Sequence, residues 1–237
     1  MQLTTDEWVF WRYGAFELNA TIVFTWVVMA VLTLASMLVT RRLSTDETPP
    51  PWQNLLEVIV GGMRDQVREV AQRETREILP FVGTLFLFIA TANLLAVVPG
   101  YRPPTASLST ATALALAVFV AVPIFGVAGR GLGGYLANYV RPTPLMLPFN
   151  VIGELSRTFA LAVRLYGNVM SGVVIVGILI SIAPFLFPVV LQLLGLLTGL
   201  VQAYIFAVLA TVYIASASRA HAWENPQPPP SSGEPSS

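Results

Sequence analysis

Three charged side chains interrupt a strongly apolar stretch in the second half of the chain. Residues 148–172 read PFNVIGELSRTFALAVRLYGNVMSG and contain Glu154, Arg157 and Arg164, the only charged residues between positions 142 and 218. A guanidinium is not deprotonated in proteins. Placing it at the centre of a bilayer costs roughly 2.5–3.5 kcal/mol on insertion scales, so an ionisable residue there indicates a functional site. Arg164 is therefore the residue that a function must explain.

The polar residues of this stretch recur at helical spacing. Steps of three, four, three, four and three residues place them along one face of a helix. Small residues on and beside that face would let a partner helix approach the backbone closely. The pattern predicts a helix that meets another protein surface. The face comprises Glu154, Arg157, Leu161, Arg164, Asn168 and Ser171, and the small residues are Ala160, Gly167, Ser171 and Gly172.

The composition is that of a membrane protein. Of the 237 residues 55% are hydrophobic and only 11% are charged, with a mean hydropathy of +0.69. Soluble domains carry about 25% charged residues. The long apolar segments predict an all-α polytopic membrane protein. The net charge of zero excludes a basic surface for nucleic acid, and the absence of cysteine excludes disulfides and thiolate metal sites. We expect no cofactor, no metal site and no removable signal peptide.

Three spans are predicted before the charged helix, at residues 18–39, 79–98 and 109–128. Arg41 and Arg42 follow the first span, so the positive-inside rule places that end in the cytoplasm and residues 1–17 outside, as an outer N-terminal segment. Asn93 lies within the second span, where an interhelical hydrogen bond is a commoner role than ion binding.

Residues 52–77 differ from the spans because charged residues occupy one side of the predicted helix. Apolar residues such as Met63 and Val67 recur on the other side, opposite residues such as Arg64 and Arg68. We expect an amphipathic helix that lies on the cytoplasmic surface and faces a partner subunit. The alternative is a solvated helix packed on the chain's own loops.

The last two apolar segments, residues 147–182 and 187–218, are longer than a perpendicular span needs. Strong tilt would accommodate the excess, so we expect a hairpin of two tilted helices, one with Arg164 and one with Gln202. Gly195 and Gly199 form a small-residue ridge that leads to Gln202. Residues 18–218 would then form a single membrane domain. Residues 219–237 are rich in proline and serine and are expected to be a disordered cytoplasmic tail.

The run GELSRTFALAVRLYGNVMSG resembles the signature of subunit a of F-type ATP synthases, which reads approximately E-x-x-[SA]-[RK]-x-x-[SA]-L-x-x-R-L-[FY]-G-N. The runs LVQAYIFAVLATVYI and FIATANLLAVVPGYRPPTA resemble that family's last helix and its second span with the outer loop. The resemblance extends over residues 19–218. It implies a multi-pass subunit of a bacterial-type inner membrane, with its N-terminus outside and its C-terminus in the cytoplasm.

The resemblance also implies partners and roles. The partners would be a rotating ring of c subunits, the peripheral-stalk b subunits, the rest of the complex and the lipid bilayer, while ATP chemistry would belong to other subunits. Arg164 matches the family's essential arginine, and Asn168, Gln202 and Glu154 match polar positions of the ion pathway. Arg157, Ser107, Ser171 and Asn93 are candidates for either pathway or structural roles. Ala160, Gly167, Gly172, Gly195 and Gly199 are candidates for the ring interface.

A physical mechanism accompanies these matches. A ring carboxylate must be neutralised by a proton or cation before it turns through lipid, because a bare charge is too costly there. A fixed guanidinium favours the ionised carboxylate and so discharges each arriving site. Arg164 would also repel a cation that leaks between two offset half-channels, one open to each side.

The carried ion is H⁺ or Na⁺. Proton-coupled members commonly have an acid after P-T-A, where this chain has Ser107, and some have a Glu or a His where this chain has Val173 and Gly195. These departures remove titratable relays and favour Na⁺ slightly, although the ion-binding ligands belong to the ring. The rival functions are an autonomous transporter or channel that binds an anionic substrate at Arg164 and a structural membrane scaffold.

Overall fold

The computed structural model describes residues 9–13, 16–41, 51–71, 77–98, 101–140, 145–182 and 187–219. Five helices in this part of the chain are long and apolar enough to cross a membrane, which confirms the all-α polytopic fold class. The amphipathic α2 is a sixth helix. The helices are α1 (Ala20–Thr40), α2 (Pro51–Ala71), α3 (Leu79–Leu94), α4 (Leu108–Val140), α5 (Met146–Ile182) and α6 (Phe187–Arg219).

A short antiparallel pair of strands, β1 (Val9–Tyr13) and β2 (Phe16–Asn19), precedes α1. The sequence analysis assigned no element to this segment. Its runs VFWRY and FELN contain aromatic and β-branched residues, which favour strands. Hydropathy alone does not detect such short runs beside a long apolar helix.

The helices α3, α4, α5 and α6 enclose the core of the bundle. Many of the buried positions are alanines. Their small side chains let the helices approach closely, and in a bilayer this close packing has to replace the hydrophobic driving force that water would supply. α1 lies at the periphery and exposes most of its length; the side chain of Trp26 is 65% exposed. The buried alanines of these four helices are Ala92, Ala111, Ala115, Ala121, Ala162, Ala203, Ala207, Ala210 and Ala215.

The amphipathic helix α2 packs on the membrane helices of its own chain. Val67 and Ala71 are buried, and the Sδ-methyl of Met63 would lie 3.5 Å from a Cβ on Gly83 of α3. A cavity of about 150 Å³ remains between α2, α3 and α6. The apolar side of α2 is thus covered by α3 and α6 in its second half. The predicted C-terminal end, at residues 72–76, lies outside the described residues, as does the tail after Arg219.

α4 is longer than the predicted span of residues 109–128, because it continues past Ala128 and breaks at Gly131. Gly131 has φ 74°, a left-handed conformation that residues with a Cβ rarely adopt. After this break the ring of Tyr135 lies against Gly126. A Cβ on Gly126 would be 2.7 Å from Cδ2 and Cε2 of that ring. Gly131 and Gly126 together allow the chain to turn back against its own helix.

Replacing Gly126 by alanine should displace Tyr135 and destabilise the folded protein by about 1–3 kcal/mol, the usual cost of overpacking. The measurement is the thermal unfolding midpoint of the chain in its purified complex. Gly133→Ala is the control, because a Cβ there meets nothing within 4 Å. Gly126→Ala should cost little once Tyr135→Ala has removed the ring. Equal midpoints for Gly126→Ala and Gly133→Ala would contradict this packing.

Candidate functional site

α5 and α6 form an antiparallel pair whose register is defined by two contacts. Nδ2 of Asn168 lies 3.5 Å from the carbonyl oxygen of Thr198. The guanidinium carbon of Arg157 lies 5.8 Å from the centroid of the Tyr213 ring, within the range of a cation–π contact. Arg164 lies four residues before Asn168 on α5, and Gln202 lies four residues after Thr198 on α6. Because both helices rise about 1.5 Å per residue, Arg164 and Gln202 lie at the same level.

The side chains at this level face different surroundings. Arg164 is exposed on the outside of the bundle, beside the exposed apolar side chains of Phe159 and Val163. Gln202 is buried, with 4% of its surface exposed, and its Nε2 has no hydrogen-bond partner within the described ranges. The guanidinium of Arg164 therefore faces the outside of the bundle, whereas the amide of Gln202 faces its interior.

The polar stripe of α5 lies across the boundary between the buried and the exposed side of the helix. Its members alternate in exposure, because steps of three and four residues differ by about 100° around a helix of 3.6 residues per turn. Leu161, which the sequence analysis placed on one face with Arg164, is 2% exposed and packs into the core. The exposed members are Arg157, Arg164 and Ser171, and the half-buried ones are Glu154 and Asn168.

A cavity of about 420 Å³ lies between α4, α5 and α6 and is called here the Glu154 cavity. Its polar lining includes Glu154, Arg157, Thr158 and Ser216. The hydroxyl of Thr158 donates to the carbonyl oxygen of Glu154 at 3.0 Å. Arg157, for which a pathway role and a structural role were both open, is positioned over the ring of Tyr213.

A second cavity of about 470 Å³ lies between α3, α5, α6 and the α3–α4 loop and is called the Asn168 cavity. Most of its lining is apolar, and among the described residues neither a carboxylate nor a histidine lines it. Gln192, which the sequence analysis did not single out, donates from Nε2 to the carbonyl oxygen of Ala96 at 2.9 Å and joins α6 to the end of α3. The polar lining residues are Asn93, Tyr101, Arg102, Asn168, Gln192 and Thr198.

The two cavities meet different stretches of the same two helices. On α5 the Glu154 cavity is lined by residues 149–158 and the Asn168 cavity by residues 168–177. Ten residues, or about 15 Å of helix, separate these stretches. Arg164 lies between them on α5, and Gln202 lies between the corresponding stretches of α6. The charged residue thus divides two cavities that the chain builds at different levels.

Asn93 and Gly199 form a close contact between α3 and α6. Asn93 is buried and donates from Nδ2 to the carbonyl oxygens of Ile89 at 2.8 Å and Gly199 at 3.3 Å. A Cβ on Gly199 would be 2.8 Å from Cβ and Cγ of Asn93. Asn93 therefore makes the interhelical hydrogen bond that the sequence favoured. Gly199, which the resemblance places at the ring interface, is buried against Asn93.

The other small residues proposed for an interface remain open. Ala160, Gly167 and Gly195 are exposed and Gly172 is half-buried. A Cβ on any of these three glycines would meet nothing within 4 Å. Open glycines and an alanine around Arg164 leave the backbone accessible to a neighbouring helix.

Two further candidates from the sequence have local hydrogen bonds. Ser107 is fully buried at the start of α4, where its hydroxyl lies 2.6 Å from that of Ser109 and accepts the N–H of Ser109 at 3.2 Å. Ser171 is exposed and donates to the carbonyl oxygen of Asn168 at 2.9 Å. Both contacts are what a structural role requires.

The comparisons with known proteins agree with one another. The family model described as ATP synthase A chain matches residues 22–215. "ATP synthase subunit a" of Albidiferax ferrireducens is 59% identical over 97% of this chain and 98% of its own length. "ATP synthase subunit a 2" of Acaryochloris marina is 61% identical over 92% and 94%, respectively. "ATP synthase subunit a 1" of Chlorobium luteolum is 59% identical over 93% and 99%. The family expected from the Arg164 motif is confirmed: this multi-pass membrane chain belongs to the subunit a family of the F-type ATP synthases.

Proposed function

We propose that this chain is the stator of a rotary F-type ATP synthase and forms two offset half-channels for H⁺ or Na⁺ at a ring of c subunits. The observation that carries the proposal is the pair of cavities at different levels of α5, with Arg164 between them. An ion that enters one cavity cannot pass along α5 to the other without passing a permanent positive charge. The remaining route is by way of a site on a neighbouring subunit.

The charge on Arg164 supplies the chemistry of that route. An opposite charge within about 4–6 Å lowers the pKa of a carboxylic acid or displaces its bound cation. A ring carboxylate that arrives beside Arg164 would therefore lose its ion to one cavity. After it moves on, it must take up an ion from the other cavity before it enters lipid, because a bare carboxylate in hydrocarbon is too costly. The ring then turns in step with ion flow.

The polar groups around Arg164 have matching roles in the proposal. Glu154 would be the acidic group of the half-channel that opens to the cytoplasm, and Asn168 would line the one that opens outside. Gln202, whose Nε2 is buried without a partner in the described part of the chain, has a donor available to a pathway water. The described polar side chains that line the Asn168 cavity include the hydroxyls of Tyr101 and Thr198 and the amides of Asn93, Asn168 and Gln192, and water held by these groups would carry H⁺ or Na⁺.

Four small residues of α5 and α6 are the proposed contact with the ring. Ala160, Gly167, Gly172 and Gly195 would let ring helices approach closely enough to bring their carboxylates to the guanidinium. Peripheral-stalk b subunits would hold the chain against rotation. The chain would be non-catalytic, because it has no lysine and thus no G-x-x-x-x-G-K-[ST] phosphate loop. The N-terminus would be outside and the C-terminus in the cytoplasm of a bacterial-type inner membrane.

Cysteine labelling from the two sides of the membrane tests the two half-channels. The natural chain has no cysteine, so Thr198→Cys in the Asn168 cavity and Ser216→Cys in the Glu154 cavity can each be the only thiol. The intact complex is studied in vesicles of both orientations with a membrane-impermeant cationic thiol reagent, and labelling is read by mass spectrometry.

We expect Thr198→Cys to react only from the outside and Ser216→Cys only from the cytoplasmic side. Both positions are exposed on α6 and receive the same thiol side chain, so the two labelling reactions can be compared directly. Reaction of both positions from the same side would refute the offset half-channels.

A further inference from the structure

Three buried polar atoms at one end of the bundle have no hydrogen-bond partner among the described residues. They are Oδ1 of Asn19, the phenol oxygen of Tyr101 and Oγ1 of Thr105. Asn19 immediately precedes α1, and the other two belong to the α3–α4 loop. The rings of Tyr101 and Phe24 of α1 meet edge to face with centroids 5.0 Å apart. The 3-10 turn Pro104–Ala106 also packs on α1, so the three atoms belong to one junction.

The burial of this junction makes the missing partners costly. Residues 103–107 are all buried, and Thr105 has no exposed surface. Burial raises the pKa of Tyr101 above its ordinary value, so the phenol is a neutral donor and acceptor. A buried polar group without a partner costs about 1–3 kcal/mol. Folded proteins remove that cost with ordered water, which typically makes about three hydrogen bonds to such groups.

We propose that this junction holds a cluster of buried water molecules, bound by Asn19, Tyr101 and Thr105 and continuous with the Asn168 cavity. Water fits because the two hydroxyls donate as well as accept, whereas a bare cation would satisfy only their oxygens. The amide oxygen of Asn19 accepts, and water donates to it. The set is neutral, so it supplies no charge to offset the dehydration of a cation.

Tyr101 connects the junction to the Asn168 cavity. The residue lines that cavity, while its hydroxyl is among the buried atoms without a partner. Water at this hydroxyl therefore extends the cavity towards the start of α1. In the proposed half-channel, on which this step rests, the cluster is a hydrated branch that brings water or ions to Asn168 from the α3–α4 loop.

Reaction of a buried thiol with aqueous Ag⁺ tests the cluster. Thr105→Cys replaces a residue with 0% exposure beside the proposed water, and Ala115→Cys replaces an alanine with 1% exposure in the apolar core. The intact complex is treated with Ag⁺, then denatured and alkylated, and the fraction protected from alkylation is measured by mass spectrometry. Burial alone predicts equal protection of the two thiols.

We expect Thr105→Cys to react with Ag⁺ at least tenfold faster than Ala115→Cys. Equal, slow reaction at both positions would overturn the cluster. Asn19→Cys is the second position of the junction and decides the question where Thr105→Cys does not assemble, since the proposal requires its rapid reaction as well.

Thr105→Val tests the link to transport, because it removes the hydroxyl with little change in shape. We expect ATP-driven ion pumping to fall two- to fivefold, and unchanged pumping would overturn the link to the half-channel. This outcome is distinct from failure of the proposed function, in which both labelled thiols of the half-channel experiment react from the same side while Thr105→Cys still reacts with Ag⁺.

Discussion

Replacement of Arg164 by alanine is expected to abolish ATP-driven ion pumping while the complex still assembles. A nearby positive charge lowers the pKa of a carboxylic acid by about 1–3. Loss of the guanidinium would therefore change the equilibrium for discharge of the ring carboxyl group by about ten- to a thousandfold. Assembly should survive, because Arg164 is exposed and the buried packing of α5 is supplied by Leu161 and Leu165. Ion uptake into inverted vesicles measures pumping, and the amount of ring that copurifies measures assembly.

Two further variants separate the effect of the charge at position 164 from the effect of a substitution elsewhere on the same exposed part of α5. Arg164→Lys keeps a positive charge but loses the planar fork of the guanidinium, so we expect pumping well below that of the natural chain. Val163→Ala changes an exposed neighbour on α5 without removing a charge, so pumping should stay close to the natural rate. Normal coupled pumping by Arg164→Ala, with the ring attached, would refute the stator mechanism and favour the scaffold. Ion flux through the purified chain alone would favour the autonomous transporter.

The exposed position of Arg164 favours a partner subunit over lipid at this surface, because a charge in lipid is energetically costly. Its neighbours Phe159 and Val163 are 71% and 44% exposed, so the guanidinium lies in an apolar outer surface of the chain. A lipid-covered arginine at mid-membrane would retain its full insertion cost. In the proposed mechanism, a carboxylate on an adjacent subunit would offset that cost. The open glycines around it are consistent with such a close neighbour.

The sequence predicted those features that depend on local composition. Apolar length indicated the five membrane helices, charge pattern indicated the amphipathic α2, and the cost of a charge in lipid singled out Arg164. Each of these properties belongs to a single segment and needs no knowledge of which segments pack together. The spacing of the stripe also placed Asn168 and Glu154 on one side of α5, because a helix fixes the angular positions of its own residues.

Features that depend on packing between segments were not predictable. Gly199 and Gly195 are equivalent in sequence, yet one faces Asn93 on another helix and the other faces open space. The contact of Arg157 with Tyr213 joins residues 56 positions apart. The two cavities are spaces between helices, so no single segment encodes them. The break at Gly131 was hidden because glycine is common in apolar helices.

Replacement of Gly199 by alanine should be the most damaging methyl addition in α6. The new Cβ would be 2.8 Å from Cβ and Cγ of Asn93. That side chain is buried, and its Nδ2 donates to two carbonyl oxygens. Overpacking of this kind costs about 1–3 kcal/mol. Separation of α3 from α6 would also shift Gln202, one turn along, so we expect pumping to fall together with the thermal midpoint of the complex.

A double-mutant cycle decides whether Asn93 is the cause. Asn93→Gly removes both atoms that the new methyl would strike, so Gly199→Ala should cost little in that background, and the two substitutions should show a coupling energy of about 0.5–3 kcal/mol. Gly61→Ala on α2 is the control, because a Cβ there meets nothing within 4 Å and alanine favours a helix. If Gly199→Ala matched Gly61→Ala in midpoint and pumping, the α3–α6 contact would not be what positions Gln202. A large coupling would instead identify Gly199 as the residue that sets the distance between the wall of the Asn168 cavity and the helix that carries Gln202.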